Sequence, residues 1–357
     1  MSLKISKTSQ VQAESEVFPN LSQESKETKL SEAMKIGASL NKTHDTVLLT
    51  KLGKTKPLPI PSIPTGLPSI DNVVIGCGGI PRGRITEIFG PESSGKTSLA
   101  LHVIGQAQRM GLTAAFVDAE HALDLIQAAR LGVDTSELLV SQPDYGEQAL
   151  EVVDALVGVV DVIVVDSVSA LVPKAELDGE YGESHMGLQA RLMSQAMRKL
   201  VGKVNKSGTA VIFINQIREK VGVTFCNPEV TSGGRALKFY ASLRLEVRRM
   251  SNTDGGPIKE GDVHVGHKMW IDAKKNKVGA PFNKRYAELR YATGFNARAD
   301  MFMYALEIGA VTETGKGWYY ALCLPSDQKV REGDLTADPL YAKLVESVIS
   351  KQAGVNQ

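Results

Sequence analysis

The sequence contains few cysteines and no long uninterrupted hydrophobic run. Its three cysteines, Cys77, Cys226 and Cys323, lie far apart without Cys-x-x-Cys spacing, which disfavours a zinc site or a disulfide framework and suits packing roles in a reducing compartment. The longest apolar stretch, VVDALVGVVDVIVVD, is interrupted by Asp154 and Asp161 and is too short to span a bilayer. Since the N-terminus also lacks a charged-then-apolar signal pattern, we expect a cytoplasmic protein without a membrane partner.

An excess of charge of one sign is missing as well. The 41 basic and 40 acidic residues give a formal net charge of +1, so composition neither supports nor excludes nucleic acid as a partner. Any such contact has to come from the local placement of basic side chains. With 357 residues, the chain is long enough to bury a substantial core, which predicts one large domain with smaller attachments.

The segment FGPESSGKTS, from Phe89 to Ser98, has little side-chain bulk at the expected start of a helix. Its spacing, with Gly90 four residues before Gly95, Lys96 and Thr97, is that of a phosphate-binding loop whose N–H groups point at an anion. The predicted nucleotide-binding loop consists of Gly90, Pro91, Glu92, Ser93, Ser94, Gly95, Lys96, Thr97 and Ser98. In this interpretation Lys96 reaches the outer phosphates and Thr97 holds Mg²⁺.

The flanking sequence supports this motif. The segment RITEIFG, rich in β-formers, precedes the loop, and SLALHVIGQAQRMG, with apolar residues at helical intervals, follows it. Strand, loop and helix therefore come in the required order. The alternative is a glycine turn that binds no ligand.

Short apolar runs alternate with helical patterns between about residues 66 and 250. The runs are RITEIF, TAAFVD, DVIVVD, TAVIFIN and SLRLEVRR, and the helical segments are SLALHVIGQAQRM, GEQALEVVDALV and GLQARLMSQAMRKLVGKV. This alternation predicts an α/β fold with a mostly parallel, twisted sheet flanked by helices on both faces. Ligands of such sheets bind beyond the carboxyl ends of the strands, where the phosphate loop falls.

Three regions are predicted along the chain. Residues 1–58 form an N-terminal segment for oligomerisation, with a mobile stretch to about residue 30 and a short helix from Leu30. The linker into the core is KPLPIPSIPTG, whose four prolines block regular structure. Residues 59–293 form the core, which ends in a hairpin of HKMWIDAKKNKVGAPF and RYAELRYATG. Residues 294–357 form a small α+β C-terminal domain with helices near 299–309 and 339–351.

Polar residues follow three of the predicted strands. Four β-branched residues precede Asp166 in VDVIVVDS, which indicates a strand buried on both faces that delivers a carboxylate to Mg²⁺ or its water. In AAFVDAEHALD, Glu120 is the best candidate to orient an attacking water, and its neighbour His121 is interpreted as structural. Gln216 ends VIFINQ and suits a γ-phosphate sensor. The alternatives are a helix cap at Asp166 and ordinary loop capping at Gln216.

A longer set of motifs identifies a family. GPESSGKT, DAEHALD, SQPDYGEQALE, VDVIVVDSVSALVPKAE, SHMGLQARLMSQAMRKL, FINQIR and GGRALKFYAS occur in this order, and together they resemble the bacterial RecA recombinase family over about residues 60–292. The resemblance implies a RecA-type ATPase core. It further implies an ATP-dependent recombinase that polymerises as a helical filament on single-stranded DNA, takes up double-stranded DNA and exchanges strands.

The resemblance also implies roles for individual residues in ATP and Mg²⁺ binding. It makes Lys96 and Thr97 the phosphate and Mg²⁺ contacts, Asp166 the strand-end aspartate, Glu120 the catalytic glutamate and Gln216 the γ-phosphate sensor. Four further residues carry over: Asp124 as an adenine contact, Tyr291 as a base contact from across the subunit interface, and Lys275 and Lys277 as cations entering the site of the adjacent subunit. From the sequence alone, KKNK also fits a solvated basic turn.

Two loops of the family line the filament axis and hold DNA. They correspond to about residues 176–186 and 217–234, both glycine-rich and polar, which predicts mobility until a ligand orders them. The DNA-binding residues that the resemblance implies are Met186, Arg191, Arg198, Arg218, Val221, Gly233, Gly234 and Arg235. Arg191 and Arg198 are seven apart and share a helical face from which they would neutralise phosphates. The alternative is a helix surface with ordinary arginines.

Two other classes of protein remain open at this point. A related ring helicase would unwind rather than pair strands, and SHMGLQAR and TSGGRALKFYAS argue against it. A structural filament with vestigial hydrolysis is disfavoured because Glu120, Lys275 and Lys277 are all present. The sequence also leaves open contacts with mediator proteins and with a repressor.

Overall fold

The computed structural model describes residues 23–44, 49, 59–180, 187–219 and 229–355. The chain divides into two compact units, Met1–Leu58 and Pro59–Gln357. The further division predicted at residue 294 stays a prediction. Met186 and Val221, which the sequence places in the DNA loops, lie outside the described residues.

The described part of the first unit is mainly helix α1, Gln23–His44. This helix begins earlier than the sequence predicts, because mobility was expected as far as about residue 30. Gln, Glu, Lys and Ser of QESKETK carry no strong helix breaker, and Glu, Gln and Lys are good helix formers. Near its end the Asn41 side chain exchanges two hydrogen bonds of 3.1 Å with the backbone of Leu49.

The second unit contains the sheets and the other helices. Its strands are β1 (Ser62–Ile63), β2 (Ile80–Pro81), β3 (Ile85–Gly90), β4 (Ala114–Asp118), β5 (Leu139–Ser141), β6 (Val162–Asp166), β7 (Ala210–Glu219), β8 (Glu229–Thr231), β9 (Leu243–Arg249), β10 (Pro257–Glu260), β11 (Val263–Asn276), β12 (Lys284–Arg290), β13 (Gly294–Phe295), β14 (Val311–Gly315) and β15 (Trp318–Ala321). Its α-helices are α2 (Lys96–Arg109), α3 (Leu125–Arg130), α4 (Gly146–Leu156), α5 (Lys174–Leu177), α6 (Leu188–Ser207), α7 (Ala236–Tyr240), α8 (Ala297–Glu307), α9 (Glu332–Leu335) and α10 (Leu340–Val355).

A large sheet dominates this unit. Nine of its strands run in the order β13-β12-β11-β9-β3-β7-β6-β4-β5, and β8 and β10 pair with β7 and β11. From β9 to β5 neighbouring strands are parallel, whereas β9, β11, β12 and β13 pair antiparallel. The prediction of a mostly parallel sheet within an α/β fold is confirmed, and so is the hairpin of β11 and β12.

Alternating side chains of the central strands build a core on each face of the sheet. On β6, Val162 and Val164 join the cluster that contains Leu99 and Ile104 of α2. Ile163 and Val165 point the other way into the cluster that contains α4 and α6. Because successive residues of a strand face opposite sides, the apolar run VIVV has to be covered by helices on both faces.

A third apolar cluster packs the C-terminal elements. It joins α8, the β14–β15 hairpin and α10 through side chains such as Phe302, Val311 and Leu344. The backbone N–H of Ser69 donates a 2.9 Å hydrogen bond to the buried carboxylate of Asp300 in α8, which ties these elements to the segment before the sheet. Across the described ranges, no helix is long and apolar enough to cross a membrane.

The register of the parallel strands brings the polar strand ends together. Gly90 at the end of β3 pairs with Gln216 on β7, and Asp118 at the end of β4 pairs with Asp166 at the end of β6. The carboxyl ends of adjacent parallel strands meet at one edge of the sheet. The candidate site is therefore assembled at this edge.

Candidate active site

The predicted phosphate loop connects β3 to α2. Ser93 and Gly95 both have positive φ values, 55° and 95°, so the loop curls back on itself before the helix begins at Lys96. The φ of Gly95 is one that residues with a Cβ rarely adopt, which explains why glycine is needed there. A loop of this form turns backbone N–H groups toward the space above the helix N-terminus, where anions bind.

The ammonium group of Lys96 lies inside this loop. The side chain is buried, and its Nζ donates a 2.6 Å hydrogen bond to the carbonyl oxygen of Pro91. Burial lowers the pKa of Lys96, while the carboxylates of Asp166, Glu120 and Glu92 act in the opposite direction. A desolvated cation surrounded by acidic groups is suited to binding a polyanion.

Thr97 and Asp166 form the second part of the site. Thr97 Oγ1 donates a 2.6 Å hydrogen bond to Asp166 Oδ2. The pKa of Asp166 is raised to about 6, chiefly by burial and also by the Glu120 carboxylate, while the hydrogen bond from Thr97 acts in the opposite direction. Hard oxygen atoms in contact at the end of a phosphate loop fit Mg²⁺, which is usually held by one or two protein groups together with phosphate oxygens.

Within the described ranges, no group of three or more His, Cys, Asp or Glu side chains could hold a metal ion by itself. A metal at Thr97 and Asp166 would therefore share its coordination with a bound nucleotide.

Glu120 is held at its carboxylate by two donors. Gln216 Nε2 donates a 3.0 Å hydrogen bond to Glu120 Oε1, and the hydroxyl of Ser167 donates to the same oxygen. The structure thus joins the predicted catalytic glutamate directly to the predicted γ-phosphate sensor. Asp118 shapes the loop that carries Glu120, because its carboxylate accepts hydrogen bonds from the backbone of Ala122 and Leu123.

A buried polar network lies beneath the site. Glu87 on β3 is fully buried and forms an ion pair with Arg244 on β9. Asn215 Nδ2 on β7 donates to Glu87 Oε1 at 2.9 Å and to the backbone oxygen of Ser232 at 3.1 Å. The network therefore joins three neighbouring strands and reaches the end of the second predicted DNA loop.

The two predicted base contacts have partners within the chain. Asp124 caps α3, since its side chain accepts hydrogen bonds from the backbone N–H groups of Ile126 and Gln127. The hydroxyl of Tyr291 lies 3.3 Å from His267 Nδ1. These contacts support the local structure, and the predicted roles in base binding stay predictions.

Lys275 lies near the end of β11, and Lys277 immediately follows the strand. Lys275 Nζ donates to the carbonyl oxygens of Lys238 and Phe239 at 2.9 and 2.8 Å. The ammonium group therefore caps the C-terminal end of α7. The pKa of Lys275 is lowered to about 8, chiefly by burial and also by the positive charges of Lys277 and Arg244. The side chain of Lys277 is exposed. The predicted contribution of both lysines to a neighbouring subunit stays a prediction.

All four arginines of the predicted DNA surface are exposed. Arg191 and Arg198 lie on α6, Arg218 is near the end of β7, and Arg235 immediately precedes α7. Side chains at these positions are accessible to a polyanion.

Gly233 and Gly234 are two of the DNA-binding residues that the resemblance implies, and packing within the chain also restricts both positions to glycine. Both have positive φ values, 77° and 79°, which favour glycine. A Cβ on Gly233 would lie 2.7 Å from Val168 Cγ1, and one on Gly234 would lie 2.8 Å from the Cβ of Ala190. Internal packing alone therefore demands glycine at both positions.

The second predicted loop is partly regular structure. Residues 217–219 continue β7 and pair antiparallel with β8, with Ile217 opposite Thr231 and Arg218 opposite Val230. The prediction that the loop starts at Ile217 is wrong for residues 217–219, which belong to β7. β-branched residues on both sides favour strand pairing, a signal that the glycine-rich composition of the whole segment obscured.

Sequence reasoning missed several residues of the site. Ser167, Glu87 and Arg244 carry no motif of their own, and only the tertiary structure brings them to the site. The single available signal was the position of Ser167 directly after the strand-end Asp166, where a small polar residue is also common in loops.

A phosphate loop, a strand-end aspartate beside its threonine, and a glutamate at the edge of a mostly parallel sheet define a phosphate-loop ATPase. A family model described as the RecA N-terminal domain matches residues 29–296. The chain belongs to the bacterial RecA family and is a DNA-dependent ATPase recombinase of that family.

Curated relatives cover most of the chain. Protein RecA of Acidothermus cellulolyticus is 53% identical over 321 residues, which cover 89% of this chain and 91% of the relative. Protein RecA of Thermus aquaticus is 53% identical over 300 residues, with coverage of 84% and 86%. Among solved structures, the RadB recombinase has a TM-score of 0.49 at 22% identity and covers 65% of this chain and 97% of that chain.

Proposed function

We propose that this protein binds ATP with Mg²⁺ in the loop between β3 and α2 and couples ATP hydrolysis to homologous pairing and strand exchange. The observation that carries the proposal is the hydrogen bond between Gln216 and Glu120 at 3.0 Å, because it connects the residue that precedes the second DNA loop to the base of the reaction. A bound Mg²⁺ would be held by Thr97 and Asp166 and would neutralise phosphate charge.

The chain's own groups have separate tasks in this proposal. Loop N–H groups and Lys96 bind the phosphates and stabilise negative charge as it develops on the γ-phosphate. Glu120 is exposed, so water reaches its carboxylate, which orients the water for attack. Lys275 and Lys277 add positive charge from an adjacent subunit of the filament.

Gln216 is the proposed coupling residue. Its amide donates to Glu120 in this structure, and the same amide would donate to a γ-phosphate when ATP is present. When the Gln216 amide moves from Glu120 to the phosphate, it links the phosphate to the paired strands β7 and β8 at the second predicted DNA loop. Nucleotide and DNA then favour the same conformation of this loop.

Replacement of Gln216 by alanine is expected to lower DNA-stimulated hydrolysis by about tenfold or more and to remove the ATP-dependent gain in affinity for single-stranded DNA. Gln216→Glu keeps the side-chain size but removes the donor, so the same loss is expected. The measurements are steady-state hydrolysis and DNA binding with and without ATP. Gln328→Ala, at an exposed position, is the control, and full stimulation in Gln216→Ala would contradict the coupling.

The lowered pKa of Lys275 predicts that the rate of ATP hydrolysis depends on pH in the alkaline range. A lysine whose pKa is lowered to about 8 is charged below that pH and loses its charge above it, so hydrolysis should decline as pH rises through 8. Lys275→Arg keeps its charge to much higher pH, and the decline should then disappear although the absolute rate is lower. Rates are measured from pH 6 to 10 with folding checked at each pH. The same decline in both proteins would rule out Lys275 as its cause.

On the nucleic-acid side, the proposed partners are single-stranded DNA in a helical homopolymer and double-stranded DNA as the second substrate. The support is the exposure of Arg191, Arg198, Arg218 and Arg235 together with family membership. The proposal includes an N-terminal segment for oligomerisation, a small C-terminal domain from residue 294, and a cytoplasmic location. Mediator and repressor proteins complete the proposed set of partners.

The test is ATP hydrolysis with and without single-stranded DNA, measured together with strand exchange between a circular single strand and a linear duplex. Stimulated hydrolysis with joint molecules supports the proposal. Hydrolysis with unwinding but without pairing would indicate a motor instead. No stimulation by DNA would indicate a structural filament.

A further inference from the structure

The turn that follows β6 connects Glu120 to both predicted DNA loops. This turn, residues 167–171, contains Ser167, a short 3₁₀ helix from Val168 to Ala170, and Leu171. We call it the serine turn. We propose that the serine turn holds the carboxylate of Glu120 in position through the Ser167 hydroxyl, so that Ser167 is a positioning residue for hydrolysis.

Ser167 contacts the side chain of Glu120 directly. The Ser167 hydroxyl donates to Glu120 Oε1, and Ser167 is 1% exposed, so the donor is held in place by the surrounding protein although the carboxylate itself is reached by water. The backbone N–H groups of Ala119 and Glu120 donate to the carbonyl oxygen of Asp166 at 2.8 and 3.3 Å. Main chain and side chain of Glu120 are thus both attached to the strand end that carries Asp166.

The hydroxyl of Ser169 supports the hydroxyl of Ser167 from the other side. The Ser167 and Ser169 hydroxyl oxygens are 2.5 Å apart. A hydroxyl has one hydrogen to donate and two lone pairs to accept. When Ser167 donates to Glu120, the hydroxyl of Ser169 is therefore the donor to Ser167, and the two serines form a chain that ends at the carboxylate.

The serine turn also contacts residues next to or within the two predicted DNA loops. Gln189 is the second residue of α6, which begins directly after the first predicted loop. Its Nε2 donates to the carbonyl oxygens of Val168 and Leu171 at 2.8 and 3.2 Å. From the second loop, Gly233 packs so closely against Val168 that a Cβ would lie 2.7 Å from the Val168 side chain.

These contacts give Ser167 a role distinct from that of Gln216. Both donate to the same oxygen of Glu120, but Gln216 would turn toward a γ-phosphate, whereas Ser167 is itself buried and is held within the serine turn. When Gln216 exchanges partners, Ser167 remains as the donor that keeps Glu120 oriented. This inference rests on the proposed function of Glu120.

The experiment compares Ser167→Ala with Ser167→Thr in the full chain. Loss of one hydrogen bond to a charged group is expected to lower the DNA-stimulated kcat about tenfold, while KM for ATP stays within about twofold. Threonine keeps the hydroxyl, and the extended backbone of Ser167, with φ −128° and ψ 165°, accepts a β-branched residue. We therefore expect Ser167→Thr to return to within about threefold of the wild-type rate.

A second comparison separates positioning from a structural effect. In single-turnover reactions, Ser167→Ala is added to Glu120→Gln. If Ser167 acts through the carboxylate, the second change has less than about a twofold effect. A tenfold loss in both backgrounds would overturn the proposal, as would wild-type kcat in Ser167→Ala or a loss confined to KM.

Full activity of Glu120→Gln alone would instead contradict the proposed role of Glu120. If Ser167→Ala does not fold, Gln189→Ala tests the same turn from α6. It is expected to lower the DNA-stimulated kcat about threefold at unchanged KM, and wild-type kcat in that variant would overturn the proposal.

Discussion

Replacement of Lys96 by methionine is expected to lower kcat/KM for ATP by about a hundredfold to a thousandfold. The ammonium group is buried within the phosphate loop and bonded to Pro91 O at 2.6 Å, so it is already placed where a phosphate group enters. No other described residue of the loop carries a positive charge, so within the loop only the N–H groups would remain to stabilise the reacting phosphate. The measurement is hydrolysis across a range of ATP concentrations with saturating single-stranded DNA.

Methionine separates loss of charge from loss of structure. Its length and flexibility resemble those of lysine. Burial disfavours the charged form of Lys96, so removal of the charge should not destabilise the fold, and the thermal midpoint of unfolding of Lys96→Met should not fall by more than about 2 °C. Lys343→Met, at an exposed position of α10, is the control and should hydrolyse ATP normally. A Lys96→Met protein that keeps more than a tenth of the wild-type kcat/KM would exclude the proposed role.

Replacement of Arg244 by methionine is expected to lower the free energy of unfolding by about 3–5 kcal/mol. Arg244 forms an ion pair with Glu87, whose side chain is 0% exposed, and removal of the cation leaves a buried carboxylate without its countercharge. The Arg244 guanidinium also lies 4.2 Å from the centre of the Phe89 ring. Urea unfolding should show a decrease in the midpoint of roughly 1 M.

Two further variants identify the cause of that loss. The double variant Glu87→Gln with Arg244→Met removes the uncompensated charge and should recover most of the lost stability. Arg285→Met breaks the partly exposed ion pair with Glu307 and should cost less than about 1 kcal/mol. Equal losses in Arg244→Met and Arg285→Met would show that burial of the first pair does not matter.

The local elements of the core could be predicted because their signals lie within single segments. VIVV before Asp166 has enough β-branched residues to specify a doubly buried strand, and the spacing of Leu99, Val103 and Ile104 specifies an amphipathic helix. The start of α1 was predicted too late because polar helix formers resemble a mobile segment in composition. The strand at the base of the second loop was hidden by the glycines around it.

The sequence by itself determined the phosphate loop, the strand-end carboxylates and the family, since each depends on residue types at fixed spacing along the chain. The tertiary structure decided which of these residues touch. Glu120 meets Gln216 across 96 positions because the parallel strands end at one edge of the sheet. Arg244 meets Glu87 across 157 positions because the register of β3 and β9 places them opposite each other within the strands. Contacts of this kind depend on chain geometry over long separations, which no local spacing encodes.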